Sequence, residues 1–146
     1  MATLLSHTHG RHVPHLTLAS LTSYDLDAVR AALSALPPAE PFVSRVGGLG
    51  IFPRSRVWLA PAVTSSLLRE QERVVDAVLA TGADVHPHYR SGTWLPHLTL
   101  APRLRLDQLP VVAGKVNEVM PLTAAFPRLA LVSTRTGEVV TLGPGS

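Results

Sequence analysis

The hexapeptide PHLTLA occurs twice in this chain of 146 residues, at positions 14–19 and 96–101. Each copy carries a histidine and, two positions later, a threonine: His15 and Thr17, then His97 and Thr99. Imidazole titrates near neutral pH, so one histidine can act as a base while the other acts as an acid. Threonine hydroxyls can donate hydrogen bonds to an oxygen on which negative charge develops. Together these groups could cleave a phosphodiester without a metal ion.

Strands would position these side chains. Residues two apart in a strand point to the same face, so each histidine would share a face with its threonine. Residues 13–18 alternate apolar and polar side chains, which predicts a half-buried strand with Leu16 and Leu18 facing the core. The second copy predicts an equivalent strand. If the two strands belong to lobes that pack about a pseudo-twofold axis, their two imidazoles and two hydroxyls can converge in one cleft.

Three helices are predicted from apolar spacing and capping residues. The first follows caps in Thr22–Asp25 and ends at Pro37–Pro38; the second spans 64–82, with Thr64 or Ser65 as its cap; the third runs from about Asp107 to Val119. We interpret Asp25 and Asp107 as helix-start caps. The buried face of the second helix is predicted to comprise Leu67, Leu68, Val74, Val75, Val78 and Leu79.

Further strands are predicted at 42–52 and 56–63, joined by a turn at 53–55. Two more are predicted in LTAAFPRLALVS (122–133) and EVVTLG (138–143), with Thr136-Gly137 as the turn. The segment Ala83–Gly92 is predicted to be a loop from its proline, glycine and serine content.

An offset of 82 residues aligns the two hexapeptides and also the elements that follow them. The order motif strand, helix, strand, strand therefore occurs twice, which indicates an internal duplication. We expect one α+β domain over 1–146, with two pseudo-symmetric lobes around a central cleft. Each lobe would be an antiparallel sheet with helices outside. The halves are about 13–63 and 95–146, joined by helix 64–82. The strand and helix that precede the second motif have no counterpart before the first, so we expect the first lobe to lack them.

The two halves have diverged unevenly. Trp58 aligns with Val140 and Phe42 with Ala124, yet the hexapeptides are identical. A single His-x-Thr on a strand is more often structural, with threonine present for its β-propensity. Duplication would preserve the strand without requiring histidine and threonine on its polar face, so two identical copies favour a functional role.

Composition narrows the class of protein. The chain is 46% hydrophobic, has no cysteine, and has no apolar run long enough for a membrane span. Thiol catalysis and thiolate metal sites are therefore excluded, and we expect a cytoplasmic protein without a signal peptide. The net charge of +3 is too small for a large nucleic-acid footprint. It suits a small anionic ligand or one strand end.

The paired motifs resemble those of the 2H phosphoesterase superfamily, in particular the bacterial RNA 2′,3′-cyclic phosphodiesterase / 2′-5′ RNA ligase family. Gly47–Pro61 resembles the family's intervening segment. The resemblance implies a bilobal fold, acid–base catalysis by His15 and His97, and phosphate binding by Thr17 and Thr99. It implies no cofactor. Its substrates would be RNA 3′ ends or small nucleotides bearing a cyclic phosphate, opened to 2′-phosphates, and some members join or break 2′-5′ linkages.

Other residues are candidates for substrate binding. Phe52 and Tyr89 could stack on a base, and Arg54, Arg90 and Arg103 could hold a phosphate. The alternatives are that Phe52 is a core residue, Tyr89 an ordinary loop aromatic, and Arg54 and Arg56 solvated charges. Relatives carry a basic residue directly after the second motif, where this chain has Pro102 and then Arg103. Trp58 and Trp94 are interpreted as packing residues.

Two other classes of function stay open. A histidine-rich stretch at 7–15 and the pair His86 and His88 could bind a metal, although their spacing fits no tight template and we expect no metal site. The fold could also serve as a non-catalytic module that binds RNA ends or nucleotides. We expect a monomer that does not bind membranes, or a dimer if the first lobe is truncated.

Overall fold

The computed structural model describes residues 13–38 and 40–142. Its helices in these ranges are α1 (Leu26–Ser34), α2 (Ser65–Leu79) and α3 (Leu109–Val119). Its strands are β1 (Leu21–Ser23), β2 (Phe42–Phe52), β3 (Arg56–Pro61), β4 (Asp84–Val85), β5 (Leu98–Ala101), β6 (Leu122–Phe126), β7 (Ala130–Val132) and β8 (Val139–Thr141). Every pairing between these strands is antiparallel, and the predicted α+β class is confirmed.

The largest sheet has the strand order β5-β3-β2-β6. Helix α3 covers one face of it, and the core between them comprises Val57, Ala101, Leu104 and Val112. The pairing register aligns Gly50, Trp58 and Thr99 in a row across three strands. Residues directly opposite one another in antiparallel strands share a face, so this row lies on a single face. That face carries the candidate site.

A second core lies between α1 and α2, where Val29, Leu33, Val74 and Val78 are buried. The two-stranded sheets β1–β4 and β7–β8 contribute to it, through residues such as Val85 and Leu131. The hairpin β7–β8 belongs to the second half of the sequence, whereas α1 belongs to the first. Conversely, the hairpin β2–β3 of the first half pairs with β5 and β6 of the second. Each half of the sequence therefore contributes to both cores.

The first hexapeptide differs from prediction. Residues 13–20 form no strand, and β1 begins only at Leu21, so the strand predicted over 13–18 is wrong. The last four residues of the second hexapeptide form β5, which pairs with β3. No strand among residues 13–38 and 40–142 pairs with the first hexapeptide, and side chains of Trp94 and Gln71 hydrogen-bond the carbonyls of Thr17 and Leu18. Strand formation depends on a pairing partner, which the hexapeptide itself does not supply.

The helices begin largely as predicted. Asp25 Oδ1 accepts from the Ala28 amide at 3.0 Å, and Thr64 Oγ1 accepts from the Leu67 amide at 3.1 Å, as N-caps do. The prediction for Asp107 is wrong. It lies in a 3-10 turn (Leu106–Gln108) before α3 and forms an ion pair with Arg105.

Three further predictions need correction. Leu68 and Leu79 of α2 are exposed, because the buried stripe runs through Leu67, Gln71, Val74, Val75 and Val78. The segment 122–133 is not one strand; it breaks at Pro127, where the missing N–H ends β6, and β7 joins another sheet. The loop predicted at 83–92 contains β4 and a 3-10 turn (Pro87–Tyr89). In the described residues, no helix is long and apolar enough to cross a membrane.

Candidate active site

The two motif histidines make the same local hydrogen bond. His15 Nδ1 lies 2.7 Å from the carbonyl oxygen of Val13, and His97 Nδ1 lies 2.8 Å from that of Leu95. A carbonyl oxygen can only accept, so Nδ1 carries the proton in both rings. The Nε2 atoms are then the nitrogens left for proton transfer. The two copies share this geometry even though only the second continues into a strand.

Aromatic rings surround His97. The Phe52 ring meets it edge-on, with centroids 4.8 Å apart, and the Trp58 ring lies at 6.1 Å. Phe52 and Trp58 in turn stack at 4.9 Å. His97 is therefore half-buried against an apolar wall, whereas His15 is exposed. The two histidines have the same sequence context but different solvation.

A glycine makes room for this wall. A Cβ added at Gly50 would lie 2.1 Å from Cζ2 of Trp58, so the indole occupies the space that any side chain would take. The indole Nε1 of Trp58 is buried and has no hydrogen-bond partner among the residues described. An orphaned donor of this kind costs free energy, so packing rather than hydrogen bonding holds the indole here.

Solvation and charge shift the pKa of His97 downward. Burial is the largest cause, and the positive charges of Arg56 and His15 add to it, while the Leu95 carbonyl opposes them. The influence of His15 means that the two imidazoles lie within electrostatic reach of each other. At neutral pH the shift favours the neutral form of His97, which is the form that can accept a proton.

The segment before the second motif holds the first motif in place. Trp94 Nε1 donates to the Thr17 carbonyl at 3.1 Å, and the His86 amide donates to the Ser20 carbonyl at 2.8 Å. Tyr89 lies beside the Thr17 side chain. Burial raises the pKa of Tyr89, while the Arg56 charge and the Thr17 side chain lower it. The protonated hydroxyl therefore faces the first motif at neutral pH.

Gln71 completes this connection, and sequence reasoning missed it. It is 3% exposed, and its Nε2 donates to the carbonyls of Leu18 at 3.1 Å and Tyr89 at 2.7 Å. Both partners are acceptors, so the amide nitrogen must face them. The sequence could have indicated Gln71, because it is a polar residue on the apolar face of α2, four residues after Leu67 and three before Val74.

The structure brings together part of the predicted site. His97 contacts Phe52, Tyr89 lies at Thr17, and Thr99 lies opposite Trp58 in the sheet. Of the predicted arginines, Arg54 is exposed in the turn after β2, Arg90 Nε donates to the Val85 carbonyl at 3.4 Å, and Arg103 is exposed. Their role in phosphate binding stays a prediction. No described contact links these three to either motif histidine.

Arg56 is the cation whose charge acts on both His97 and Tyr89, and it was not among the predicted site residues. The sequence could have indicated Arg56 by its position on the predicted strand 56–63, two residues before Trp58. Residues two apart in a strand share a face.

The histidine-rich stretch at 7–12 lies outside the described residues. Within 13–38 and 40–142, no three of the histidine, aspartate and glutamate side chains are grouped closely enough to hold a metal ion. The rings of His86 and His88 pack against each other, with centroids 4.8 Å apart.

Comparisons with known proteins identify the fold and the family. A solved structure of a protein described as a phosphoesterase superposes with a TM-score of 0.56 at 19% sequence identity, covering 88% of this chain and 72% of the other. That likeness shows a shared fold. No curated protein matches the sequence. The family model of the 2′-5′ RNA ligase superfamily matches residues 2–138. Since that match spans nearly the whole chain and includes both His-x-Thr motifs, the protein belongs to the 2′-5′ RNA ligase superfamily of 2H phosphoesterases.

Proposed function

We propose that this protein is a phosphodiesterase that opens 2′,3′-cyclic phosphates at RNA 3′ ends or on small nucleotides, leaving 2′-phosphates. The observation that carries the proposal is the matched pair of hydrogen bonds from Nδ1 of His15 and His97. These bonds engage only the Nδ1 atoms, and the charge of one imidazole acts on the other. Two imidazoles in one cleft can serve as base and acid for attack at phosphorus without any further group.

The different surroundings of the two histidines suggest their roles in hydrolysis. His97, whose pKa is lowered chiefly by burial, is the base: its Nε2 takes a proton from water as the water oxygen bonds to phosphorus. The P–O3′ bond breaks, and protonated Nε2 of His15 gives its proton to the departing O3′. Thr17 and Thr99 hold the non-bridging oxygens as charge develops on them.

Formation of a 2′-5′ linkage is the same reaction with a ribose hydroxyl, in place of water, attacking the cyclic phosphate. Whether hydrolysis or ligation occurs depends on which of the two attacking groups is bound. A module that binds RNA ends without turnover would use the same cleft.

The test is turnover of a short RNA ending in a 2′,3′-cyclic phosphate, with EDTA present. Wild type is compared with His15→Gln and His97→Gln, and with His88→Gln as the matched control. We expect a 2′-phosphate product from wild type and His88→Gln, and a loss on the order of 10²-fold or more in each motif variant. Full activity in either motif variant would contradict the acid–base pair. Tight binding with no turnover by wild type would identify a binding module.

A further inference from the structure

The turn that leads into β3 holds its residues in a fixed position. Arg54 and Ser55 have φ values of 64° and 58°, in the left-handed region that costs roughly 1–2 kcal/mol per residue with a side chain. The amide of buried Leu104, which follows β5, donates to the Ser55 carbonyl at 3.0 Å. Such strained conformations persist where surrounding contacts determine them. The beginning of β3 is therefore tied to the end of the second motif's strand.

Arg56 begins β3 directly after this turn. It lies opposite Phe52 in the β2–β3 register, and the Phe52 ring contacts His97. It is also two residues before Trp58, so the two side chains leave the same face of the sheet. Thr99 lies opposite Trp58 on that face. The Arg56 side chain therefore starts beside the second motif.

The charge of Arg56 also reaches the first motif. Burial is the main cause of the lowered pKa of His97, and the Arg56 charge lowers it further. Burial raises the pKa of Tyr89, which lies beside the Thr17 side chain, and the Arg56 charge opposes that rise. Arg56 is exposed and, within residues 13–38 and 40–142, forms no ion pair, whereas Arg73 and Arg105 pair with carboxylates. Three groups that can each carry positive charge therefore act on one another here, and an anion bound among them would relieve their mutual repulsion.

We propose that Arg56 is a further catalytic residue, whose guanidinium binds the non-bridging oxygens of the reacting phosphate together with Thr17 and Thr99. This inference rests on the proposed function. The planar fork of arginine donates two parallel hydrogen bonds to phosphate oxygens, which lysine cannot do. The strained turn then serves to aim this fork at the phosphorus.

The experiment compares Arg56→Gln and Arg56→Lys with two matched controls, Arg30→Gln and Arg69→Gln. Each control removes one exposed arginine from a helix, Arg30 from α1 and Arg69 from α2, and neither residue is a candidate for substrate binding. On the cyclic-phosphate RNA, we expect kcat/KM to fall on the order of 10²-fold in Arg56→Gln, the loss typical of one preorganised donor. The controls should keep wild-type values. An equal loss in all three would indicate a general effect of charge and overturn the assignment.

Arg56→Lys separates binding geometry from charge. Burial is the largest cause of the lowered pKa of His97, the Leu95 carbonyl opposes it, and the charged groups that lower the pKa further are Arg56 on β3 and His15 in the first motif. Arg56→Gln removes a repelling charge, so the acid limb of the pH–rate profile should move to higher pH. Arg56→Lys keeps the charge, so the acid limb of its pH–rate profile should stay near that of wild type. The maximal rate on the plateau of the profile should nevertheless fall. A merely structural role would lower both plateaus without this difference in the limbs.

Binding of a nucleoside 2′-monophosphate, measured by calorimetry, tests Arg56 without turnover. We expect the affinity to fall at least about tenfold in Arg56→Gln and to be unchanged in Arg30→Gln and Arg69→Gln. If wild type fails to hydrolyse the RNA yet shows this pattern, the proposed reaction is wrong and the phosphate site holds. Equal affinity in wild type and Arg56→Gln would overturn the inference itself.

Discussion

Trp94 donates its indole N–H to the carbonyl oxygen of Thr17 at 3.1 Å, across 77 residues of sequence. Trp94 lies three residues before His97, so the segment that leads into one motif fixes the backbone of the other. Gln71 and the His86 amide add hydrogen bonds to the same stretch. The distance between the two histidines therefore depends on these few contacts, because no strand in the described part of the chain pairs with the first motif.

Replacing Trp94 with phenylalanine should disturb the site more than the fold. The variant keeps an aromatic ring but loses the donor, which leaves the Thr17 carbonyl unpaired at a cost of about 1 kcal/mol. We expect kcat for cyclic-phosphate hydrolysis to fall severalfold, because Thr17 and His15 lose a fixed position. Urea unfolding and steady-state kinetics measure the two effects. Tyr24→Phe, at an exposed aromatic, is the control and should leave both unchanged. Wild-type kinetics in Trp94→Phe would show that the bond does not position the motif.

The site should not tolerate a side chain at Gly50. In Gly50→Ala the new methyl group would overlap the Trp58 ring, whose atoms lie 2.1–2.5 Å from its position. Displacing the indole should cost about 1–3 kcal/mol of unfolding free energy and should also move Phe52 and His97. Chemical denaturation and activity assays measure both.

Gly47→Ala is the matched control, since nothing lies within 4 Å of a Cβ added there, on the same strand. It should unfold as wild type does and keep its activity. Equal stability of the two variants would mean that Trp58 does not occupy this space in solution.

His97 should make stability depend on pH in a defined direction. Its folded pKa is lowered, mainly by burial, below the ordinary value of 6.5. At a pH between the folded and the unfolded pKa of His97, the unfolded chain binds more protons than the folded chain does. The free energy of unfolding therefore rises with pH in this range. This contribution is fully present above the unfolded pKa and is lost as pH falls through the folded pKa.

Urea unfolding of wild type and His97→Asn at about pH 8 and about pH 5 isolates this term, because other histidines are common to both proteins. We expect the wild type to lose more stability on acidification than the variant does. The same loss in both would show that the pKa of His97 is not lowered in the folded protein.

Much of the fold follows from local chemistry. Asp25 and Thr64 each place an acceptor before an apolar helical stripe, and each caps its helix as expected. The strand Phe42–Phe52 has the bounds that its composition predicts. The paired hexapeptides were also enough to indicate the family, because chemistry that needs a base, an acid and anion binders restricts the residue types at those positions.

The tertiary structure decided what the hexapeptides become. In the second PHLTLA, Leu98–Ala101 forms β5 because β3 lies beside it. The same letters at 14–19 form no strand, and side chains of Trp94 and Gln71 hydrogen-bond two of their carbonyls. The unlike surroundings of His15 and His97 arise in the same way, since Phe52 and Trp58 pack against only one of them. Identical local sequence determines identical hydrogen bonds at Nδ1, which are local, but burial and charge come from residues far along the chain.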